Sequence, residues 1–269
     1  MAITASATSA PAATRGTWFL RIVVWFPTAY TIIIIAHEGA HALSAIALGF
    51  PSTLFNFWVD HQFTGATVVQ RAIVGAAGPV ASLVLGVVAA IAYRVVRRPA
   101  AGVPLLLLAA HGVSNFFGNL MSAAFVGDFS NAARALGVPM PLRYGIALVG
   151  VIGVGVTLFI AGRELRRWTS PGTGRFIATA GTTIVPMVLG TLFVIVINEP
   201  TPMGDSFATA RLSEGAFWIV AAIGAFFATV RTTYELNPAK VLFVDVMELV
   251  VTTGVVRLMS RGIAVAAFG

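Results

Sequence analysis

Two histidines and a glutamate interrupt an apolar run, "IIIIAHEGAHALSAIALGF", from Ile32 to Phe50. On a helix His37 and His41 stand at i and i+4, so both imidazoles project from one face and can reach a single ion. Glu38 lies beside them, placed to take a proton from a water bound to that ion, which is the mechanical logic of the HExxH pattern in zinc-assisted hydrolysis. Burial in lipid sharpens this reading. An ionisable group near the bilayer centre costs on the order of 2.5 to 3.5 kcal/mol, so three within a turn and a half need a partner. A metal is the partner that fits the spacing. The chain has no cysteine, so any metal must be held by His, Asp or Glu.

Two histidines leave a tetrahedral zinc one protein ligand short if it is also to keep a position for water. The candidates are His61, in a polar loop, and His111 and Asp128, which flank the unusually polar stretch "HGVSNFFGNLMSAAFVGDFSNAARALG". His111, Asn115 and Asn119 follow i, i+4, i+8 and form one polar stripe. His111 precedes Asp128 by about four turns on the same helix, too far to share an ion with it. Its expected role is a hydrogen bond to the Asn115 side or to another helix. Asp128 has a second role open to it, as a helix cap.

The elements that must position these groups are membrane helices. The chain of 269 residues is 58% hydrophobic and 10% charged, with a mean hydropathy of +0.90, outside the range of soluble domains. Six runs are long enough to span: Trp18 to Gly49, Arg71 to Tyr93, Val103 to Phe125, Tyr144 to Ala161, Phe176 to Ile197 and Gly215 to Val230. Pro27 and Pro186 lie inside runs and are expected to kink them. Between the first two runs, Leu54 to Val59 and Thr64 to Val69 read as short strands. The expected fold is therefore an all-α polytopic membrane protein, with about six transmembrane helices and a short β-like re-entrant segment after the first.

Four regions follow: a disordered tail (1–16), a core of three spans (17–136), three further spans (137–230) and an amphipathic C-terminal segment (231–269). In the last, Asp245, Glu248 and Thr252 share a helical face, as on an interfacial helix. No internal repeat is visible. The net charge of +7 reflects Arg and Lys gathered in short connections, without a basic stripe interleaved with aromatics, so no nucleic-acid partner is expected. Thirteen of the seventeen cations fall on the side of both termini, which makes that side cytoplasmic. The Ala, Gly and Val-rich composition suggests a bacterial cytoplasmic membrane.

At these residues the chain resembles the site-2 protease family of intramembrane zinc metalloproteases. "HEGAH" is similar to its HExxH, "AAGPVASLVLG" (Ala76 to Gly86) to its Gly-Pro-containing helix start, and "GNLMSAAFVGDF" (Gly118 to Phe129) to its Asn-Leu…Asp segment. The likeness covers about Thr17 to Leu136. It departs where Met121 and Ser122 follow Leu120 and where Phe129 follows Asp128. The resemblance implies a Zn²⁺ held by His37, His41 and Asp128, Glu38 as catalytic base and Asn119 near the substrate. The implied substrates are membrane-spanning proteins, and the implied site lies in the cytoplasmic half, opposite to what the cation count gives.

The first and third runs travel in the same direction, with HEGAH and Asp128 both toward their C-terminal ends, so the ligands are expected in the same half of the membrane. A helical substrate has its carbonyls bonded internally and must unwind to be cut, so pairing with one of the two expected strands is the expected mode of binding. Two other readings compete: an ion or solute transporter with a His/Glu/Asp relay, and a catalytically silent metal-binding relative. The missing repeat weighs against a transporter.

Overall fold

The computed structural model describes residues 12–96, 99–169, 173–198, 212, 215–228 and 238–265. Residues 1–11 of the expected tail, residues 229 and 230 of the sixth expected run, and Arg97, Arg98, Arg211 and Arg231 lie outside them. Long apolar runs become helices because a backbone in lipid must satisfy its own polar groups. The principal helices are α1 (Ala12–Ala47), α2 (Val68–Val96), α3 (Pro99–Met121), α4 (Asp128–Ala135) and α5 (Met140–Arg166). They are followed by α6 (Arg175–Thr179), α7 (Val185–Asn198), α8 (Ile219–Phe227) and α9 (Pro238–Met259). Residues 12–16, read from sequence as tail, are already helical.

Five helices are long and apolar enough to cross a membrane: Trp18–Ala47, Val68–Val96, Ala101–Ala124, Met140–Arg166 and Arg175–Ile197. The sixth expected run is a shorter apolar helix, Gly215–Phe227, interrupted by a turn at Trp218. Pro27 sits inside α1. Pro186 follows a π-helical turn, Ala180–Ile184, which widens the helix immediately before a residue with no N–H to give.

Helix α1 is the centre of the bundle, packed by α2, α3, α7 and α9. Trp18, Ile22, Phe26, Leu107, Leu158 and Trp218 belong to one buried cluster around it. Helices α2 and α3 cross with their backbones nearly touching: a Cβ on Gly112 would lie 2.6 Å from the Ser82 carbonyl and 2.7 Å from Gly86 Cα. Only glycine permits this approach, the usual device where helices have no hydrophobic drive to associate. It brings Ser82 of α2 and Asn115 of α3 to the same level of α1.

Strands β1 (Ser52–Leu54) and β2 (Val59–His61) form an antiparallel hairpin in which Leu54 pairs with Val59. The expected single strand Leu54 to Val59 is thus the hairpin's turn, closed by the Phe55 N–H donating to the Trp58 carbonyl at 2.9 Å and by stacked Phe55 and Trp58 rings. The second expected strand, Thr64 to Val69, is not formed. Thr67 and Gln70 cap α2 reciprocally, Gln70 N–H to Thr67 Oγ1 at 3.2 Å and Thr67 N–H to Gln70 Oε1 at 2.9 Å. This capping box commits Val68 and Val69 to a helix despite their β-branched side chains.

The third strand, β3 (Ile263–Val265), comes from the C-terminal segment and pairs antiparallel with β1, giving the order β2-β1-β3. The helix before it, α9, packs along α1 instead of presenting Asp245 to an interface. Buried Asp245 accepts from Arg21 Nε at 2.5 Å, Arg21 Nη2 at 3.2 Å and Trp25 Nε1 at 2.7 Å. Glu248, on the same face by spacing, is exposed.

Candidate metal centre

His37 and His41 lie in α1, ten and six residues before its end, and both are buried. Asp128 reaches them from a different direction. After α3 ends, a 3₁₀ turn (Ser122–Ala124) follows and Gly127, at φ 127°, opens α4 with Asp128 as its first residue. A side chain on Gly127 would be strained there and would meet Ser122 Oγ at 2.8 Å. Asp128 is the first residue of α4 and not its cap, a place taken by Gly127 without a side-chain capping bond, and the N-terminal dipole favours its ionised form.

Three atoms converge: His37 Nε2 lies 3.0 Å from Asp128 Oδ2, His41 Nε2 3.4 Å from the same oxygen, and the two Nε2 atoms 3.1 Å from each other. Among the described residues this is the group of His, Asp and Glu able to hold a metal ion. Tetrahedral zinc with bonds of about 2.0 to 2.1 Å separates neighbouring ligand atoms by about 3.3 Å. The triangle has that size.

The tautomers agree with a cation. His41 Nδ1 lies 2.6 Å from the Val74 carbonyl, which can only accept, so Nδ1 carries a proton and in the neutral ring Nε2 presents a lone pair. His37 Nδ1 lies 3.0 Å from Asn115 Oδ1 and 3.1 Å from Ser82 Oγ, and Ser82 gives its own proton to the Gly78 carbonyl at 3.2 Å. Nδ1 of His37 is then also the donor, and its Nε2 faces inward bare. Two lone pairs and a carboxylate aimed at one point repel unless a cation stands between them. Gly78 of α2 supplies the floor: a Cβ there would lie 2.3 Å from His41 Nε2 and 2.7 Å from His37 Nε2.

Glu38 follows His37, is buried, and lies within Coulombic range of His37, His41 and Asp128. His61, at the end of β2, stands with its ring 6.5 Å from that of His41 and its Nδ1 2.9 Å from Ser52 Oγ. Burial pushes its pKa down to about 4, so it is neutral at ordinary pH. His61 is not among the converging ligands. Nor is His111, which packs against Phe26, Tyr30 and Trp218. Asn119 donates to the Asn115 carbonyl at 3.1 Å and so braces the residue that holds His37.

Asn115, Ser82, Gly78 and the Val74 carbonyl were not singled out from sequence as parts of the metal centre. The i, i+4, i+8 stripe carried a signal for Asn115, and the Gly-Pro pair for Gly78, although that pair lies inside α2 and not at its start. Compared with protein-family models, curated proteins and solved structures, the chain matches none.

Proposed function

We propose that this chain is an intramembrane zinc endopeptidase of the site-2 protease type, cutting peptide bonds in or near the membrane-spanning segments of other proteins. The observation that carries the reading is the triangle of His37, His41 and Asp128 with both histidine tautomers set by outside acceptors and a buried carboxylate, Glu38, beside it. Zinc held there by His37, His41 and Asp128 would supply a water of lowered pKa and an electrophile for a peptide carbonyl. Glu38 would serve as the general base and then as the general acid toward the leaving amine. Val74 and Asn115 hold the two imidazoles in register.

The hairpin offers the substrate backbone a place to pair. Phe55 N–H bonds to Trp58 O and Gln62 N–H to Pro51 O, so by the alternation of an antiparallel ladder Val59 and His61 turn their own N–H and C=O groups away from β1. The other side of β1 is filled by β3. An extended substrate segment adding to the outer edge of β2 runs past His61 toward His41.

The test uses the purified chain. Wild type is expected to carry one zinc per chain and to cleave a membrane-spanning test protein. Glu38→Gln is expected to keep the metal and lose at least about a hundredfold in rate, the scale of a removed general base. Wild type without zinc after metal loading, or Glu38→Gln with full activity, would overturn the reading.

A further inference from the structure

Beside the metal centre lies a pocket of about 480 Å³ lined by α1, α3, α5, α7 and the Gly215–Phe227 helix, within the range of small-ligand pockets, about 300 to 1,000 Å³. One end is bordered by Asn115, Asn119 and Gly127, which adjoin the ligands His37 and Asp128. The other is an aromatic box of Phe26, Tyr30 and Trp218 closed around His111. His111 is 5% exposed, and its Nε2 has no hydrogen-bond partner.

The Phe26 backbone lies within polar reach of the ring, and in the tautomer that carries its proton on Nδ1, Nε2 is a bare acceptor desolvated inside apolar walls. An unsatisfied buried acceptor is destabilising unless something answers it, and the metal chemistry does not use it. Its partner must be a donor, and must arrive with enough apolar surface to fill the box.

We propose that this cavity receives a substrate side chain next to the scissile bond, and that it selects an aromatic residue ending in a donor, tyrosine first, whose hydroxyl bonds His111 Nε2. This rests on the proteolysis reading. His111 and Asn119 are eight residues apart on α3, about 12 Å along its axis, so a substrate backbone must lie between the two levels and carry a long side chain to reach the box. Serine and threonine are too short and leave the walls unfilled. Lysine would bring a charge that one acceptor cannot satisfy. Phenylalanine fills the space but leaves Nε2 unanswered.

Two measurements test this. First, p-cresol and toluene, the side chains of Tyr and Phe, are titrated into the ¹⁵N-histidine-labelled chain in micelles. Only p-cresol is expected to shift the His111 Nε2 resonance. Second, matched membrane substrates carrying Tyr or Phe at each position flanking the cut are compared. At one position a Tyr-over-Phe ratio in kcat/KM of about tenfold is expected, the worth of one buried hydrogen bond. It should fall to about one in His111→Phe and return in His111→Gln, which restores an acceptor.

Equal shifts from cresol and toluene, no shift from either because lipid fills the cavity, or a ratio that persists in His111→Phe would overturn the proposal. Cresol binding in a chain that cuts nothing would instead sink the protease reading and leave the phenol site standing. Cleavage without a Tyr preference would do the reverse.

Discussion

His37 and Asn115 are joined across 78 residues by a 3.0 Å contact from Nδ1 to Oδ1, so an amide on α3 decides which nitrogen of a histidine on α1 is free to bind metal. Removing the amide leaves Ser82 as a weaker partner and lets the ring turn. Asn115→Ala is expected to lower zinc affinity about 10 to 100-fold, as loss of an outer-shell partner typically does. Competition with a chromophoric chelator would measure it, and unchanged affinity would show that Ser82 alone suffices.

Gly78 leaves the space in which the two Nε2 atoms meet. Gly78→Ala places a methyl 2.3 Å from His41 Nε2 on a helix backbone that α3 prevents from backing away. Zinc content is expected to fall to near zero while helical content by circular dichroism stays at the wild-type level. A variant that still binds stoichiometric zinc would mean that α2 can shift.

The outer edge of β2 can be tested without touching the metal. Val59→Pro removes an N–H that points away from β1 and suits an edge strand, so the hairpin should survive. Cleavage is expected to drop at least about tenfold, roughly one hydrogen bond plus the misfit of the ring, with zinc content intact. Full cleavage by this variant would exclude pairing along that edge.

Arg21 and Asp245 form a buried ion pair that fastens α9 to α1. Asp245→Ala leaves the guanidinium without its carboxylate and Trp25 without its acceptor, a change expected to cost about 3 to 5 kcal/mol. The double variant Arg21→Met with Asp245→Leu is expected to recover much of that loss, because no uncompensated charge remains. Unfolding in detergent would rank the three proteins, and a double variant as unstable as the single one would contradict the argument.

By itself the sequence determined what repeats at short range. Hydropathy marked five of the long helices, because a span must be apolar for its full length. The i, i+4 spacing put His37 and His41 on one face, because helical periodicity is local. It pointed to Asp128 through a motif, but distance in three dimensions is not written in spacing.

Tertiary structure decided the rest. Thr64 to Val69 looked like a strand until the side chains of Thr67 and Gln70 capped a helix there. The C-terminal segment looked interfacial until Asp245 found Arg21, 224 residues away, and β3 completed a sheet begun at Ser52. The metal triangle closes only because glycines at 86 and 112 let α2 and α3 come together, and because Gly78 and Gly127 leave no side chain in the way. Such contacts depend on which faces of distant helices pack, and packing is a property of the whole bundle.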